Sequence, residues 1–371
     1  MHKQIADRLT AWQAQQLRDL PWRRDPAGAR DPYAVWVSEV MAQQTRLSVV
    51  EAYFNRWMEQ LPTLEALASA DQQEVLKLWE GLGYYSRARN LHRAAQIVAS
   101  EFGGQLPRTR AELLSLPGIG EYTAGAILSL AFGQHEPVLD GNAKRVISRL
   151  WDIEARVDLR TTESRLWRLS LKMVEAASAP GAMNEGLMEL GAVVCKRRSP
   201  LCESCPVQSF CLAHERGVEE ERPVRAPSQK VPHLKFAAAI IWEDVPGRSR
   251  LLISQRPEPG LLGGLWSFPN GARETGDEDL QACLRRAVYQ NLGVGVTVGE
   301  KAATVEHAFT HFRMTLVAFH ARITEGEPQA VGAADWCWTR LDEIGKFPCP
   351  VPDRKIIAAL RDLAKESQAA T

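Results

Sequence analysis

Four cysteines lie close together in the middle of the chain, and thiols so crowded are typical of metal sites. Thiolates are soft ligands, and four of them suit either an iron–sulfur cluster or a zinc ion. Structural zinc sites usually combine two short cysteine pairs across a longer loop, whereas the pattern C-x6-C-x2-C-x5-C has one short pair between longer steps. The spacing therefore favours an iron–sulfur cluster, and the alternatives are a zinc knuckle or four unligated core thiols. The four candidate ligands are Cys195, Cys202, Cys205 and Cys211.

Two acidic residues, Glu39 and Asp140, have surroundings that suit acid–base chemistry. Glu39 stands in a helical run beside Trp36 and Val40, so its carboxyl is either exposed or held in an apolar pocket with a raised pKa. Asp140 precedes another helical run, where an aspartate commonly caps the helix. It also follows a glycine-rich turn by 20 residues, which can bring it near whatever that turn binds. Both roles stay open for Asp140.

The glycine-rich turn contains Gly118 and Gly120 and lies between helical segments 109–115 and 121–132. Glycines let the backbone turn tightly with bare N–H groups, and a helix N-terminus follows them. Such a place binds a phosphate oxygen without reading a base sequence. The alternative is a plain turn between two helices.

The elements that must hold these residues change type along the chain. Apolar residues recur at helical spacing in segments 33–50, 75–79, 91–98, 121–132 and 166–177, so residues 1–216 are expected to be all-α. Residues 217–232 carry charges and prolines without an apolar face, which is typical of a linker. Short β-rich runs follow at 236–242, 251–255, 296–298 and 314–320, with one helix at 279–292. The sequence predicts a multidomain protein with an all-α part followed by an α+β part.

The composition limits the class of protein. The 371 residues are enough for two or three domains, and 45% hydrophobic with 24% charged residues is typical of a soluble globular protein. We expect a cytoplasmic location, because no apolar run approaches the ~20 residues that span a bilayer and the N-terminus lacks a signal-peptide core. A net charge of +0 argues against indiscriminate nucleic-acid coating, but a local basic loop such as residues 196–198 can still meet phosphates.

Taken together, these motifs resemble a known family. The order is Leu20-Pro21-Trp22-Arg23, Ser38-Glu39-Val40-Met41, Gln43-Gln44-Thr45, Gly81-Leu82-Gly83-Tyr84-Tyr85, the glycine turn, Leu139-Asp140-Gly141-Asn142 and the cysteine quartet. This set resembles the MutY family of adenine DNA glycosylases, in the helix–hairpin–helix superfamily, closely over residues 8–212 and more loosely beyond.

The resemblance implies a fold and a cofactor. Residues 1–216 would form two helical lobes, a six-helix barrel with the helix–hairpin–helix at 28–134 and an iron–sulfur lobe built from the N-terminal helix plus 135–216. A linker at 217–233 would lead to a Nudix-like domain at 234–365 that reads 8-oxoguanine. The cysteine quartet would hold a [4Fe–4S] cluster.

The resemblance also implies a reaction. The protein would hydrolyse the N-glycosidic bond of adenine opposite 8-oxoguanine or guanine in double-stranded DNA, as a monomer, after flipping the base. Glu39 would protonate the adenine and Asp140 would stabilise the oxocarbenium-like sugar, while Tyr122 and Asn142 position these groups. Lyase relatives carry a lysine where this chain has Tyr122, so the enzyme is expected to be monofunctional.

The resemblance assigns further residues to DNA or the flipped base. Gln43 and Tyr84 match a wedge that enters the duplex, although Tyr84 is equally acceptable as a core aromatic. The loop that would read 8-oxoguanine has Thr310 where the family usually has serine. The expected substrate and DNA contacts are Arg23, Gln43, Thr45, Leu82, Tyr84, Gly118, Gly120, Glu185, Phe309, Thr310 and His311.

Three other functions fit the sequence less well. A glycosylase for oxidised pyrimidines with lyase activity is disfavoured by Tyr122 and by the C-terminal part. A non-catalytic DNA-damage sensor is disfavoured because both candidate carboxyls are present. An active Nudix hydrolase needs oxygen ligands for its divalent ion, usually glutamates. At the three positions where these glutamates are expected, this chain has Ala287, Gln290 and Asn291.

Overall fold

The structure is a computed structural model that describes residues 1–16, 18–24, 30–227, 230–243 and 250–369. Contacts divide the chain into two compact units. The first unit is Met1–Ser69 with Asn90–Ser228, and the second is Ala70–Arg89 with Gln229–Thr371. No helix in the described ranges combines the length and apolar character needed to cross a membrane.

The first unit is helical, as the sequence predicts. The predicted helix at 33–50 is interrupted, because Gln44 has a left-handed backbone (φ 58°) and separates α2 (Pro32–Ala42) from α3 (Leu47–Gln60). A π-helical turn at Ile127–Ala131 extends α8 (Glu121–Ala126). The α-helices that lie wholly or mostly in this unit are α1 (His2–Gln16), α2 (Pro32–Ala42), α3 (Leu47–Gln60), α4 (Leu64–Ser69), α6 (Ser86–Glu101), α7 (Arg110–Ser115), α8 (Glu121–Ala126), α9 (Gly141–Leu150), α10 (Arg160–Glu175), α11 (Pro180–Val193) and α12 (Leu212–Glu215).

A hydrophobic core of this unit joins the N-terminal helix α1 to helices that come more than 130 residues later in the chain. Helix α1 packs against α10 and α11, and α11 packs against α9. Ile5 and Leu9 of α1 are fully buried with Met183 and Leu187 of α11. Because burying such side chains stabilises by about 1.5–3 kcal/mol each, this core holds the start of α9 and the face of α11 in fixed positions.

The segment after the cysteines packs on the first unit up to Val224. The Arg222 guanidinium is buried and lies 2.7 Å from the Asp152 carboxylate. The Val157 N–H donates to the Val224 carbonyl oxygen at 3.0 Å. Separating a buried ion pair would leave a charge without its partner, which costs stability. This part of the predicted linker therefore has a defined position.

The second unit contains two sheets. Its elements are α5 (Gln72–Leu78), β1 (His233–Ile241), β2 (Arg250–Gln255), β3 (Trp266–Ser267), β4 (Asn270–Ala272), α13 (Leu280–Leu292), β5 (Gly295–Ala308), β6 (Arg313–Glu325), β7 (Asp335–Arg340) and α14 (Val351–Ala369). The four-stranded sheet has the order β4-β1-β6-β5 and the three-stranded sheet the order β3-β2-β7. Strands β1 and β6 run parallel, whereas the other pairings are antiparallel.

Strand β1 lies between two cores because successive side chains point to opposite faces. Phe236 and Ile240 belong to a cluster with Ile356 of α14. Ala237 and Ile241 belong to a second cluster with α13. A helix therefore contributes to the core on each face, and the predicted α+β class of this part is confirmed.

Helix α5 belongs by its contacts to the second unit, although the predicted boundaries assign it to the helical barrel. The Gln73 side-chain oxygen accepts from the Trp266 indole N–H at 3.0 Å. The Cys349 N–H donates to Glu80 Oε1 at 2.8 Å. These hydrogen bonds link residues almost 200 or more positions apart, which local sequence patterns do not reveal.

Candidate functional site

A cavity of about 710 Å³ in the first unit contains most of the predicted reactive residues. Its size is within the usual range for ligand pockets. The turn at Pro21–Arg23, α2, the loop after α2, α8, the start of α9 and α11 form its wall. The predicted site residues on this wall are Arg23, Glu39, Gln43, Thr45, Tyr122, Asp140 and Asn142.

Glu39 is half-buried on the cavity wall, and its carboxyl holds a proton more strongly than usual. The Tyr122 hydroxyl donates to Glu39 Oε2 and also lies 3.3 Å from Met188 Sδ. Burial, with smaller effects from the Asp140 and Glu185 charges, raises the pKa of Glu39 to about 7, against lowering by Tyr122 and Arg23. A carboxyl with this pKa can give a proton near neutral pH.

Asp140 caps a helix and faces the cavity at the same time. It is the N-cap of α9, and its Oδ1 accepts from the Ala143 N–H at 2.7 Å. Burial raises the pKa of Asp140, while hydrogen bonds from Ala143 and Asn142 act in the opposite direction. The capping role considered from sequence is confirmed, and it orients the carboxyl instead of removing it from the site.

Asn142 is held where α9 and α11 touch. Its Oδ1 accepts from Arg145 Nη2 at 2.8 Å, and the same Arg145 nitrogen donates to the Gly191 carbonyl oxygen at 2.6 Å. A Cβ on Gly191 would lie 2.6 Å from Asn142 Cβ, so only glycine allows this approach. The contact between Gly191 and Asn142 therefore sets the position of the first turn of α9, which Asp140 caps.

A network of arginines and glutamates reaches the same cavity as Glu39. Arg23 Nε is 2.7 Å from Glu185 Oε1, and Arg30 donates to both Glu185 oxygens at 2.9 and 2.6 Å. Glu185, a predicted contact of the flipped base, is therefore engaged with cations and is not among the residues that line the cavity. Glu189 and Arg18 complete the network, and the sequence reasoning missed both. The spacing of four residues between Glu185 and Glu189, which puts both on one helix face, is the signal that was available.

The predicted hairpin is a separate surface of the first unit. Gly118 has φ 78° and a Cβ there would lie 2.7 Å from Asn90 Cβ, so glycine is required. Gly118 and Gly120 are both exposed, and Gly120 precedes α8 as its N-cap. The geometry leaves backbone N–H groups available for a phosphate.

The four cysteines line one small cavity in the first unit, together with Arg149, His214 and Glu219. Burial raises the pKa of Cys202 to about 11 and that of Cys205 to about 12. Thiols that ionise as poorly as those of Cys202 and Cys205 need a cationic centre to become thiolate ligands. Arg149 Nη1 donates to Cys195 Sγ at 3.2 Å, which adds a hydrogen bond to that sulfur. This donor set fits a metal cluster.

The other predicted DNA contacts line a cavity of about 400 Å³ in the second unit: Leu82, Tyr84, Phe309, Thr310 and His311. The Tyr84 hydroxyl is hydrogen-bonded to Thr310 Oγ1. Tyr84 is only partly buried and has φ 47°, so it is not an ordinary core aromatic. Phe309 stacks on Phe312 with centroids 4.7 Å apart, whereas Thr310 and His311 are exposed.

The positions where a Nudix enzyme would bind its metal have other uses. Gln290 accepts from Arg286 at 3.0 Å, and Asn291 donates to the Asn270 carbonyl oxygen at 3.1 Å. Ala287 is buried and has no ligand atom. Among the second unit's described residues, no three His, Cys, Asp or Glu side chains converge closely enough to hold an ion.

Family models match three parts of the chain. The model of the HhH-GPD superfamily of base excision DNA repair proteins matches residues 37–171. The model of the iron-sulfur binding domain of endonuclease III matches residues 195–211, and that of the NUDIX domain matches residues 237–359. These matches confirm the predicted fold class. They also confirm the predicted [4Fe–4S] cluster, and the matched iron-sulfur segment begins at Cys195 and ends at Cys211.

Individual proteins match along most of the chain. An adenine DNA glycosylase of Rattus norvegicus is 37% identical over 380 residues, covering 90% of this chain and 73% of the relative. That of Buchnera aphidicola subsp. Schizaphis graminum is 32% identical and covers 92% and 93%, respectively. A solved thermostable thymine-DNA glycosylase is 29% identical, covers 58% of this chain and 97% of its own, and has a TM-score of 0.52.

Proposed function

Since the chain belongs to the adenine DNA glycosylase family and is a DNA glycosylase of base-excision repair, we propose that it releases adenine paired with 8-oxoguanine or guanine in double-stranded DNA. The observation that carries this proposal is the cavity of the first unit. There a carboxyl with a pKa of about 7, Glu39, and a second carboxyl, Asp140, line one wall. Two carboxyls in different environments suit glycosidic cleavage.

The reaction begins with a proton on Glu39. Glu39 gives this proton to N7 of the flipped adenine as the bond between C1′ and N9 breaks, so the base leaves as a neutral molecule. The ionised Asp140 stabilises the positive charge on the sugar. Water then adds its oxygen to C1′ and loses its proton to the ionised Glu39, which restores the acid.

Tyr122 limits the enzyme to this hydrolysis. Burial and the nearby Glu39 and Asp140 charges raise its pKa well above 10, so it keeps its proton and donates to Glu39. An amine at this position would attack the sugar carbon and open a route to strand cleavage. With a phenol there, the enzyme is monofunctional.

The second unit supplies the recognition of the opposite base. Tyr84 and Thr310 are hydrogen-bonded to each other in the same cavity, where Thr310 and His311 present a hydroxyl and an imidazole to solvent. These groups can exchange hydrogen bonds with the oxidised edge of 8-oxoguanine. The hairpin at Gly118 would bind a phosphate of the same duplex. Action as a monomer in the cytoplasm remains part of this proposal.

The test is a glycosylase assay with duplexes that contain adenine opposite 8-oxoguanine, adenine opposite guanine, or an oxidised pyrimidine. We expect release from the two adenine mispairs only. Glu39→Gln should bind the mispaired duplex and release no adenine, whereas Glu59→Gln, at an exposed position of α3, should behave as the native enzyme. Pyrimidine excision, or normal release by Glu39→Gln, would reject the proposal. Binding without any release by the native protein would favour the DNA-damage sensor.

A further inference from the structure

Glu189 is a buried carboxylate of α11 that the proposed reaction does not use. Its side chain is 2% exposed and lies four residues after Glu185 on the same helix. Arg18 donates to both of its oxygens, with Nη2 2.9 Å from Oε2. Arg23 Nη2 donates to the same Oε2 at 3.1 Å. One carboxylate therefore fixes two guanidinium groups that line the cavity.

The charges of this network nearly balance. Three guanidinium groups, on Arg18, Arg23 and Arg30, face two carboxylates, on Glu185 and Glu189. Bidentate guanidinium–carboxylate pairs are geometrically specific and strong when buried. Loss of Glu189 would leave the network with one more uncompensated positive charge. It would release Arg18 from its carboxylate partner and leave Arg23 with Glu185.

Glu39, which lines the same cavity as Glu189, is part of the proposed reaction. The charged and titratable groups that act on Glu39 come from four elements: Arg23, Tyr122, Asp140 and Glu185. Arg18, Arg46 and Glu189 line the same cavity. Helix α3, which packs on α2, contributes only Leu47 and Ser48 to the described part of the wall. Among these groups, Arg23 is the cation that favours ionised Glu39.

We propose that Glu189 is a positioning residue for the acid: it ties Arg18 and Arg23 to α11, and so keeps unbalanced positive charge away from the Glu39 carboxyl. Glu189 touches neither the base nor the sugar in this role. Its effect is to let Glu39 remain protonated near neutral pH. The inference rests on the proposed function of Glu39 and extends it to a residue outside the reacting groups.

The experiment measures single-turnover release of adenine opposite 8-oxoguanine across the pH range for the native enzyme, Glu189→Gln and Arg18→Gln. In the native enzyme, activity falls at high pH as Glu39 loses its proton. Glu189→Gln should move this fall to lower pH, because Arg18 and Arg23 keep their charges while the carboxylate that balances them is lost. At a fixed pH above the fall, the rate should then be about tenfold lower for each pH unit by which the fall moves.

Arg18→Gln should move the fall to higher pH, because it removes a positive charge. Glu189→Asp keeps the charge and should leave the position of the fall unchanged even where the rate drops. Structural damage lowers the rate at every pH and does not move the fall in opposite directions in the two variants. An unmoved fall in both Gln variants, or movement in the same direction, would overturn the role of Glu189.

Two controls keep the outcomes separate. Cluster absorbance and thermal melting report whether each variant is folded. If Glu189→Gln does not fold, the direction in which Arg18→Gln moves the fall decides alone. A native enzyme that releases no adenine, or whose Glu39→Gln variant remains active, refutes the proposed function. A native enzyme with the expected fall, which neither Gln variant moves, refutes only the role of Glu189.

Discussion

Replacement of Gly191 by alanine tests whether the contact between α9 and α11 sets the catalytic geometry. The added Cβ would lie 2.6 Å from Asn142 Cβ, 3.0 Å from its Cα and 3.1 Å from its carbonyl carbon. Carbon atoms prefer about 3.5–4.0 Å, so the two helices must separate by roughly 1 Å. None of these three atoms is the end of a flexible side chain that could turn away.

Two opposing effects set the cost of this substitution. Overpacking of this kind costs about 1–3 kcal/mol, and alanine returns up to about 1 kcal/mol of helix propensity. We expect a net loss of about 1–2 kcal/mol, which lowers the melting temperature by about 2–8 °C for a unit of this size. Displacement of the reacting groups by 1 Å can cost about 100-fold in rate, because Asn142 and the cap residue Asp140 move with α9.

The assay combines thermal melting with single-turnover adenine release. Gly141→Ala is the matched control for stability, because it lies in the first turn of α9 and a Cβ there meets nothing within 4 Å. The control should melt at or slightly above the native temperature. A Gly191→Ala enzyme that is as stable and as active as the native one would show that the helices can separate without moving the site, and the reasoning would fail.

Three further predictions concern the acid, the nucleophile position and the cluster. Adenine release should have a bell-shaped pH profile: Glu39, with a pKa of about 7, must be protonated, and Asp140, whose pKa burial raises, must be ionised. A flat profile through neutral pH would contradict this assignment. Tyr122→Lys should gain strand nicking that borohydride traps as a covalent adduct, whereas Tyr122→Phe should not; absence of the adduct counts against the position. Cys202→Ser should lose iron and melt at a lower temperature, whereas the rate of adenine release by the protein that stays folded should change less; iron content and thermal melting measure the first two effects. A stable, iron-free, fully active variant would refute the structural role of the cluster.

Candidate reactive groups are easier to propose from the sequence than the residues that hold them. Glu39 and Asp140 stand in short motifs, and the resemblance of those motifs to a known family suggests their roles. Glu189 could not be singled out in the same way, because its two cationic partners come from a segment about 170 positions earlier. Charge networks of this kind depend on tertiary contacts, and helical periodicity does not encode the identity of a distant partner.

The accuracy of the predicted strand bounds also differs between strands. The buried strand β1 was predicted almost at its observed bounds, because it is a continuous apolar run. Strand β5 was predicted only at residues 296–298, whereas it extends over Gly295–Ala308. Much of β5 is exposed or half-buried and bears polar residues, so its pairing with β6 supplies the order that its composition does not indicate.

The grouping of Ala70–Arg89 with the C-terminal residues has a consequence for how the protein is made. Glu80 cannot accept from the Cys349 N–H until 269 further residues have been synthesised. During synthesis, α5 and the loop with Tyr84 therefore lack their final contacts, although the residues before and after them can already pack within the first unit. Contacts this distant in sequence form slowly. We expect a chain ended at residue 228 to leave this segment open to protease even where the rest of the first unit has folded.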